Sequence, residues 1–190
     1  MAEPDYVLQG DRVALGPLRK DLADSYRRWV HDLEVRQGIG VVAMYGLEAE
    51  ESWVEETLAK NAGVAPEQAN FTIYDLSDGA PVGTSALMAI DWRQGRATFG
   101  IGLGHRRGSG LGTEATRLTL DWAFNMLGLH NVWLTVLPTN TAAIRAYEKA
   151  GFRHVGVRRG AVLSLGKRCD EVYMDAVRDE FESPVIAARR

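Results

Sequence analysis

The stretch His105-Arg106-Arg107-Gly108-Ser109-Gly110-Leu111-Gly112-Thr113 separates two different periodicities. Before it, PVGTSALMAIDW (81–92) and RATFGIGL (96–103) read as strands around the turn Arg93-Gln94-Gly95. After it, Ala115, Leu118, Trp122, Ala123 and Met126 recur at helical spacing until Gly128. The local order is strand, glycine loop, helix. Glycines at 108, 110 and 112 let the backbone approach a ligand closely, and the first helical turn leaves N–H groups without an intrahelical acceptor. Such a point attracts an anion. The helix dipole and the charges of Arg106 and Arg107 add to the attraction, which makes a pyrophosphate the natural guest. The dinucleotide pattern Gly-x-Gly-x-x-Gly fails because Gly108-Ser109-Gly110 is followed by Leu111-Gly112-Thr113. The P-loop fails because no Gly-Lys-Ser/Thr closes the segment.

Downstream, VWLTVL (132–137) is an almost unbroken apolar run, as a strand buried on both faces requires, and Pro138 ends it. Asn140 or Thr141 can cap a short helix through Lys149, which Gly151 closes. Two strands, about 152–158 and 169–177, follow, joined through Gly160 and the turn Gly166-Lys167-Arg168. Upstream, FTIYDL (71–76) alternates and turns at Ser77-Asp78-Gly79, so 71–103 forms a three-stranded antiparallel meander. RVALGPL (12–18) is a first strand, and Asp21 can cap a helix bearing Leu22, Tyr26, Trp29 and Val30. The stretch 31–46 has no clean period and reads as irregular, and a helix follows over about 48–60 with Trp53, Val54 and Leu58 inward. The expected fold is α/β, a mixed and mostly antiparallel twisted sheet of about seven strands flanked by about four helices. It forms one domain over 1–190, with a core of about 10–178 and a C-terminal tail of about 179–190.

The chain's 190 residues, 46% hydrophobic and 25% charged, suit one globular domain with a sizeable core and exclude disorder, collagen and repeat folds. No apolar run approaches the ~20 residues that span a bilayer, and the N-terminus lacks a basic segment followed by an apolar one, so a cytoplasmic protein without a membrane partner is expected. The single Cys169 and four scattered histidines lack the clusters of a structural metal site, and no metal is expected. Cys169 reads as a partly buried small side chain. Charge divides unevenly. Residues 1–95 carry 8 Lys/Arg against 16 Asp/Glu, net −8, and residues 96–190 carry 14 against 9, net +5. A basic second half suits a phosphorylated cofactor. The acidic first half would repel nucleic acid and attract a cationic substrate, although Glu48, Glu50, Glu51, Glu55 and Glu56 could simply solvate a helix face.

The loop Arg107-Gly108-Ser109-Gly110-Leu111-Gly112 resembles the acyl-CoA pyrophosphate loop of the GNAT superfamily of N-acetyltransferases, whose signature is Arg/Gln-x-x-Gly-x-Gly/Ala. The segment Asn140-Thr-Ala-Ala143-Ile-Arg-Ala-Tyr147-Glu-Lys-Ala-Gly151-Phe152 is similar to that superfamily's Asn-x-x-Ala-x-x-x-Tyr-x-Lys-x-Gly-Phe segment. The likeness is close over about 80–177 and follows element order elsewhere, with the flavour of the branch that holds RimJ/RimL ribosomal-protein and spermidine acetyltransferases. It implies acetyl-CoA as cosubstrate. Backbone N–H groups of residues 107–112 would hold its diphosphate, with Arg106 and Thr113 at the ends of the loop. Ile101, Gly102 and Leu103 would pair with pantetheine as an added strand would. Asn140 would contact the pantetheine arm, and Tyr147 would point at the thioester sulfur. Asn140 and Tyr147 have ordinary readings too, since Tyr147 could be core at a helix end.

Acetyl transfer to an amine needs a neutral nitrogen, an oxyanion stabiliser and a proton donor for the departing thiolate. A phenol, with a pKa near ~10, is protonated at neutral pH and suits the donor role, which the resemblance gives to Tyr147. The resemblance places the oxyanion donor among the backbone N–H groups of the strand carrying Ile101 and Leu103. The base is the gap. Related enzymes often carry a Glu in the strand before the loop, where Thr98 stands here, and the proline common before the loop is replaced by Gly104-His105. That leaves a water chain, Asp91 or an acid of the 48–56 helix. His105 is better read as a loop residue, because Arg106 and Arg107 disfavour a second positive charge there. The expected reaction is acetylation of a small-molecule primary amine such as a polyamine, amino sugar or amine-bearing antibiotic. The alternatives are the N-terminus of a ribosomal protein, which needs an open peptide groove, and a non-catalytic acyl-CoA sensor. An edge strand or the hairpin at 160–175 could mediate a homodimer.

Overall fold

A computed structural model describes residues 4–39 and 43–187. Its strands are β1 (Leu8–Gln9), β2 (Val13–Pro17), β3 (Ala69–Asp75), β4 (Ala80–Asp91), β5 (Arg96–Leu103), β6 (Asn131–Val136), β7 (Arg153–Ser164) and β8 (Lys167–Val177). They form one sheet in the order β1-β2-β3-β4-β5-β6-β8-β7, antiparallel throughout except between β5 and β6. The helices are α1 (Ala23–His31), α2 (Leu33–Ile39), α3 (Leu47–Lys60), α4 (Leu111–Asp121) and α5 (Thr141–Ala150).

Strand alternation divides the core between the two faces of the sheet. Val13, Leu15, Ile73, Leu87, Ala97, Phe99, Val132, Leu134 and Met174 pack with Leu111, Ala115 and Leu118 of α4. Ala14 and Tyr74, pointing the other way, pack with Tyr26 and Trp29 of α1 and Val54 of α3. Two polar ties fix the helices to the strands. Glu114 Oε1 accepts from the backbone N–H groups of Arg12 (2.8 Å) and Val13 (3.2 Å), holding the start of α4 against β2. The buried hydroxyls of Ser85 and Thr119 lie 2.8 Å apart between β4 and α4. After β8 the chain packs back onto the body. Asp121, fully buried, accepts from Ser183 Oγ (2.6 Å) and from the N–H groups of Val185 (3.0 Å) and Ile186 (2.9 Å), and Phe181 lies edge-on to Phe124.

The mixed, mostly antiparallel architecture follows the sequence, but both element counts rise. The sheet has eight strands rather than about seven because the short β1 pairs with Ala14 and Leu15. Five α-helices are described rather than four because α2 lies within the stretch read as irregular. Asp32 starts that helix, its Oδ1 accepting from Glu34 N–H (3.0 Å) and Val35 N–H (3.1 Å), a cap that Gly38 and the lack of an apolar period obscured. Asp21 caps nothing. Its carboxylate pairs with Arg19 at 2.6 Å, and Leu22 stands at the start of α1 without a side-chain cap. The last two strands are also longer than expected, turning at Leu165 and Gly166.

Candidate active site

The parallel pairing of β5 with β6 runs only from Arg96 opposite Asn131 to Thr98 opposite Trp133. Beyond that point the strands part, and both continue, β5 to Leu103 and β6 to Val136. Their unpaired edges open a cleft of about 650 Å³ lined by Ile101, Gly102 and Leu103 on one side and Thr135, Val136 and Leu137 on the other. The glycine loop closes one end, α5 lies along it, and α2 forms a further wall through Glu34, Val35, Gln37 and Gly38.

The loop descends from β5 in a chain of left-handed turns. Arg106 (φ 57°), Gly108 (φ 78°) and Gly110 (φ 90°) all have positive φ, and Gly110 is the residue that starts α4. A glycine there offers no capping side chain, so the first helical N–H to find a backbone acceptor is that of Glu114, on Gly110 O at 3.3 Å. The N–H groups of Leu111, Gly112 and Thr113 precede it and are free for a guest. A Cβ on Gly108 would meet nothing within 4 Å. One on Gly112 would lie 3.2 Å from Leu103 Cδ1 within the cleft. Free amides, a helix N-terminus and open glycines suit a diphosphate.

The two arginines of the loop do different work. Arg107 lines the cleft and binds three groups: Leu103 O through Nε (2.8 Å), Asp32 (3.0 Å) and Glu34 (2.6 Å), joining the loop to the start of α2. Arg106 turns away to Asp75 and Asp78 at the β3–β4 turn. The N–H of Ser77 and then the guanidinium of Arg106 hold the Asp75 carboxyl down to about 2. Arg106 is thus a brace for the loop, a role its neighbours in sequence gave no hint of. Ser109 Oγ donates to Arg106 O (2.5 Å), which also serves the turn itself. A cation that the sequence reading missed comes from the start of β2: Arg12 Nη1 lies 3.3 Å from where a Gly110 Cβ would stand, brought there by long-range strand pairing. Arg145 and Lys149 of α5 also line the cleft.

Asn140 starts α5 with its Oδ1 accepting from Ala143 N–H at 3.2 Å, and it lines the cleft. Its amide nitrogen faces Gly38 of α2, 4.0 Å from where a Cβ would stand there. Tyr147 lies two turns further along α5, edge-on to Phe99 (centroids 6.1 Å apart) and near Phe152 (5.9 Å). The aromatic wall fixes the ring. No hydrogen bond to its hydroxyl is formed among the described residues, and Tyr147 lines the cleft. Burial pushes the phenol up to about 12, so it is protonated throughout the neutral range.

The candidate bases are scattered. Thr98 lies beside Met88 and Trp133 in the sheet and carries no titratable group. Asp91 pairs with Arg96 at 3.3 Å beyond the β4 bulge, and His105 stands edge-on to Trp29. Glu50 is buried in α3, its carboxyl raised by burial. Among the described lining residues the one carboxylate is Glu34, already bound to Arg107.

A model of the Acetyltransferase (GNAT) domain matches residues 12–153. The chain belongs to the GNAT acetyltransferase family. Among GNAT relatives, Spermidine N(1)-acetyltransferase of Escherichia coli (strain K12) is 31% identical over 142 residues, 74% of this chain and 72% of that protein. Probable N-acetyltransferase YjcK of Bacillus subtilis (strain 168) is 38% identical over 96 residues, 49% of this chain and 52% of YjcK, so the match spans about half of that relative's length. The crystal structure of spermidine N-acetyltransferase from Vibrio cholerae in complex with CoA and spermine has a TM-score of 0.82 to this chain, covering 90% of it and 98% of its own length. At 19% identity that likeness is one of GNAT fold. No group of three or more His, Cys, Asp or Glu among the described residues could hold a metal ion, and no described helix is long and apolar enough to cross a membrane.

Proposed function

We propose that this GNAT protein, of the RimJ/RimL-like branch, transfers the acetyl group of acetyl-CoA to a primary amine of a small polyamine. The observation that carries the reading is the parting of β5 from β6 after Thr98 and Trp133, with three free amides at one end of the gap and an unpartnered phenol beside it. Acetyl-CoA, when bound, supplies the acyl group already activated as a thioester. The chain's own residues do the rest. The amides of Leu111, Gly112 and Thr113 bind the diphosphate, with Arg107, Gly108, Ser109 and Gly110 shaping the turn and Arg106 bracing it. Ile101, Gly102 and Leu103 offer the free edge of β5 to pantetheine, and an N–H of that edge is directed at developing negative charge on oxygen. Tyr147 Oη holds a proton for the sulfur.

Among the described residues no carboxylate or imidazole stands free in the cleft, so the acceptor's ammonium proton leaves through water rather than to a dedicated side chain. The similarity to spermidine acetyltransferases and the −8 charge of residues 1–95 support a cationic acceptor over other amines. A homodimer would use the β7 edge, where Val155 and Val157 are exposed. Thiol release from acetyl-CoA, followed across spermidine, 1,4-diaminobutane, an amino sugar, an aminoglycoside and a basic N-terminal peptide, tests catalysis and substrate class together. Turnover greatest with the two polyamines is expected. Turnover confined to the peptide would replace the substrate, and no turnover with any amine would replace the enzyme by an acyl-CoA binder.

A further inference from the structure

The two faces of the sheet are covered unequally. On β6 and β8, Val132, Leu134, Val136, Val172, Met174 and Ala176 all join the core under α4 and α5. Trp133, Thr135, Tyr173 and Asp175 alternate with them and therefore point to the opposite face. On that face α1 and α3 cover β2 and β3, and α2 reaches β5, where Val35 Cγ1 lies 3.7 Å from the Cβ position of Gly102. No residue of β6 or β8 belongs to the core cluster under α1 and α3.

That area, which the α1 and α3 core cluster of the described residues does not reach, is chemically specific. Trp133 and Tyr173 are parallel, their planes 7° apart and their centroids 5.8 Å apart, and both are half-buried. A parallel pair leaves one face of each ring outside the stack, a negative surface that attracts cations. Asp175 lies directly across from Trp133, and its described partner is the Asn131 amide, which donates to Oδ2 at 2.9 Å. No cation pairs with Asp175 among the described residues, whereas the cations around it are engaged. Arg96 pairs with Asp91, Arg153 with Glu180, and Arg158 lies 3.8 Å from Glu171 while donating to Tyr173 Oη at 3.1 Å. Thr135 joins this area to the cleft. It lines the cleft, faces Tyr173 across the ladder, and stands two residues, about 7 Å of strand, from Trp133.

We propose that Trp133, Tyr173 and Asp175 seat the second, non-reacting ammonium group of the acceptor while its reacting amine lies in the cleft. The proposal rests on the polyamine reading above and deepens it. The indole face and the carboxylate together favour a cation at this spot, and the short step to Thr135 is matched by a short alkyl spacer between two nitrogens. An acceptor with one nitrogen would reach the cleft without using the seat. The discrimination between diamines and monoamines thus resides on β6 and β8, apart from the residues that hold the cosubstrate.

The test compares 1,4-diaminobutane with butylamine, which have the same carbon chain, on the full-length enzyme. The wild type is expected to show a higher kcat/KM for the diamine. The ratio of the two values should fall about tenfold in Trp133→Leu, recover in part in Trp133→Phe, and fall in Asp175→Asn. A ratio that stays at the wild-type value in both Trp133→Leu and Asp175→Asn, with both variants melting cooperatively, would overturn the proposal. Titration of the wild type with 1,4-diaminobutane in the presence of CoA, followed by the indole N–H resonance of Trp133 assigned from its loss in Trp133→Phe, reads the seat without turnover. A shift of that resonance with no acetylation would leave the seat and remove the polyamine-acetylating activity. Acetylation with an unmoved resonance would leave the activity and remove the seat.

Discussion

Arg106 and Asp75, thirty-one positions apart, form the ion pair that fastens the glycine loop to the β3–β4 turn, with Asp78 completing the grip. Arg106 has positive φ, a conformation that costs a non-glycine residue, and the two carboxylates hold it there. The loop amides are thereby fixed in direction before any ligand arrives, which lowers the ordering cost of binding.

Asp75→Asn should loosen that brace. The KM for acetyl-CoA is expected to rise about fivefold, the scale of one charge-assisted bond discounted for partial exposure, with a smaller effect on kcat. Steady-state kinetics with acetyl-CoA varied reads this directly. Because the folded Asp75 titrates near 2, below its unfolded value of about 3.9, its contribution to stability is present above that unfolded value and fades as pH falls toward 2. Acid melts of wild type and Asp75→Asn should converge in that window.

Tyr147→Phe keeps the aromatic wall with Phe99 and Phe152 and removes only the hydroxyl. A loss of about 10²-fold in kcat is expected, with CoA affinity by calorimetry near the wild-type value. Since the phenol is pushed up to about 12, it stays protonated well above its ordinary range, and the wild-type rate should not fall from its ionisation below about pH 10.

With no free base in the cleft among the described residues, the pH dependence is expected to be set by the substrate. For acceptors of different amine pKa, the rising limb of kcat/KM is expected to move with the acceptor, and Glu34→Gln should leave its position in pH unmoved. A limb fixed at one pH for all acceptors would reveal an enzymic base.

Gly104 shows how closely α1 presses on the site. A Cβ there would lie 2.0 Å from Trp29 Cδ1, inside the buried indole ring. Gly104→Ala should therefore destabilise the fold by about 1–3 kcal/mol, seen as a lower melting temperature.

Much of this arrangement was legible in the sequence because it depends on local pattern. The change from strand period to helix period across residues 105–113 located the loop. Asn140 and Gly151 bounded α5, where one caps and the other takes φ 112°. What escaped depends on distant partners. Gly38 and a weak apolar period hid α2, although Asp32 before Leu-Glu-Val was a cap signal that could have revealed it. The brace on Arg106 and the approach of Arg12 exist only once β2, β3 and β4 are paired. The half-buried alternate residues of β6, Trp133 and Thr135, looked like part of a doubly buried run because both are themselves apolar or small.

A crystal structure of the protein with CoA tests the central claim most directly. The diphosphate oxygens are expected within about 2.7–3.2 Å of the Leu111, Gly112 and Thr113 amides, the pantetheine along Ile101, Gly102 and Leu103, and the sulfur within hydrogen-bond reach of Tyr147 Oη. CoA lying outside the gap between β5 and β6, or no CoA bound at saturating concentration, would contradict it.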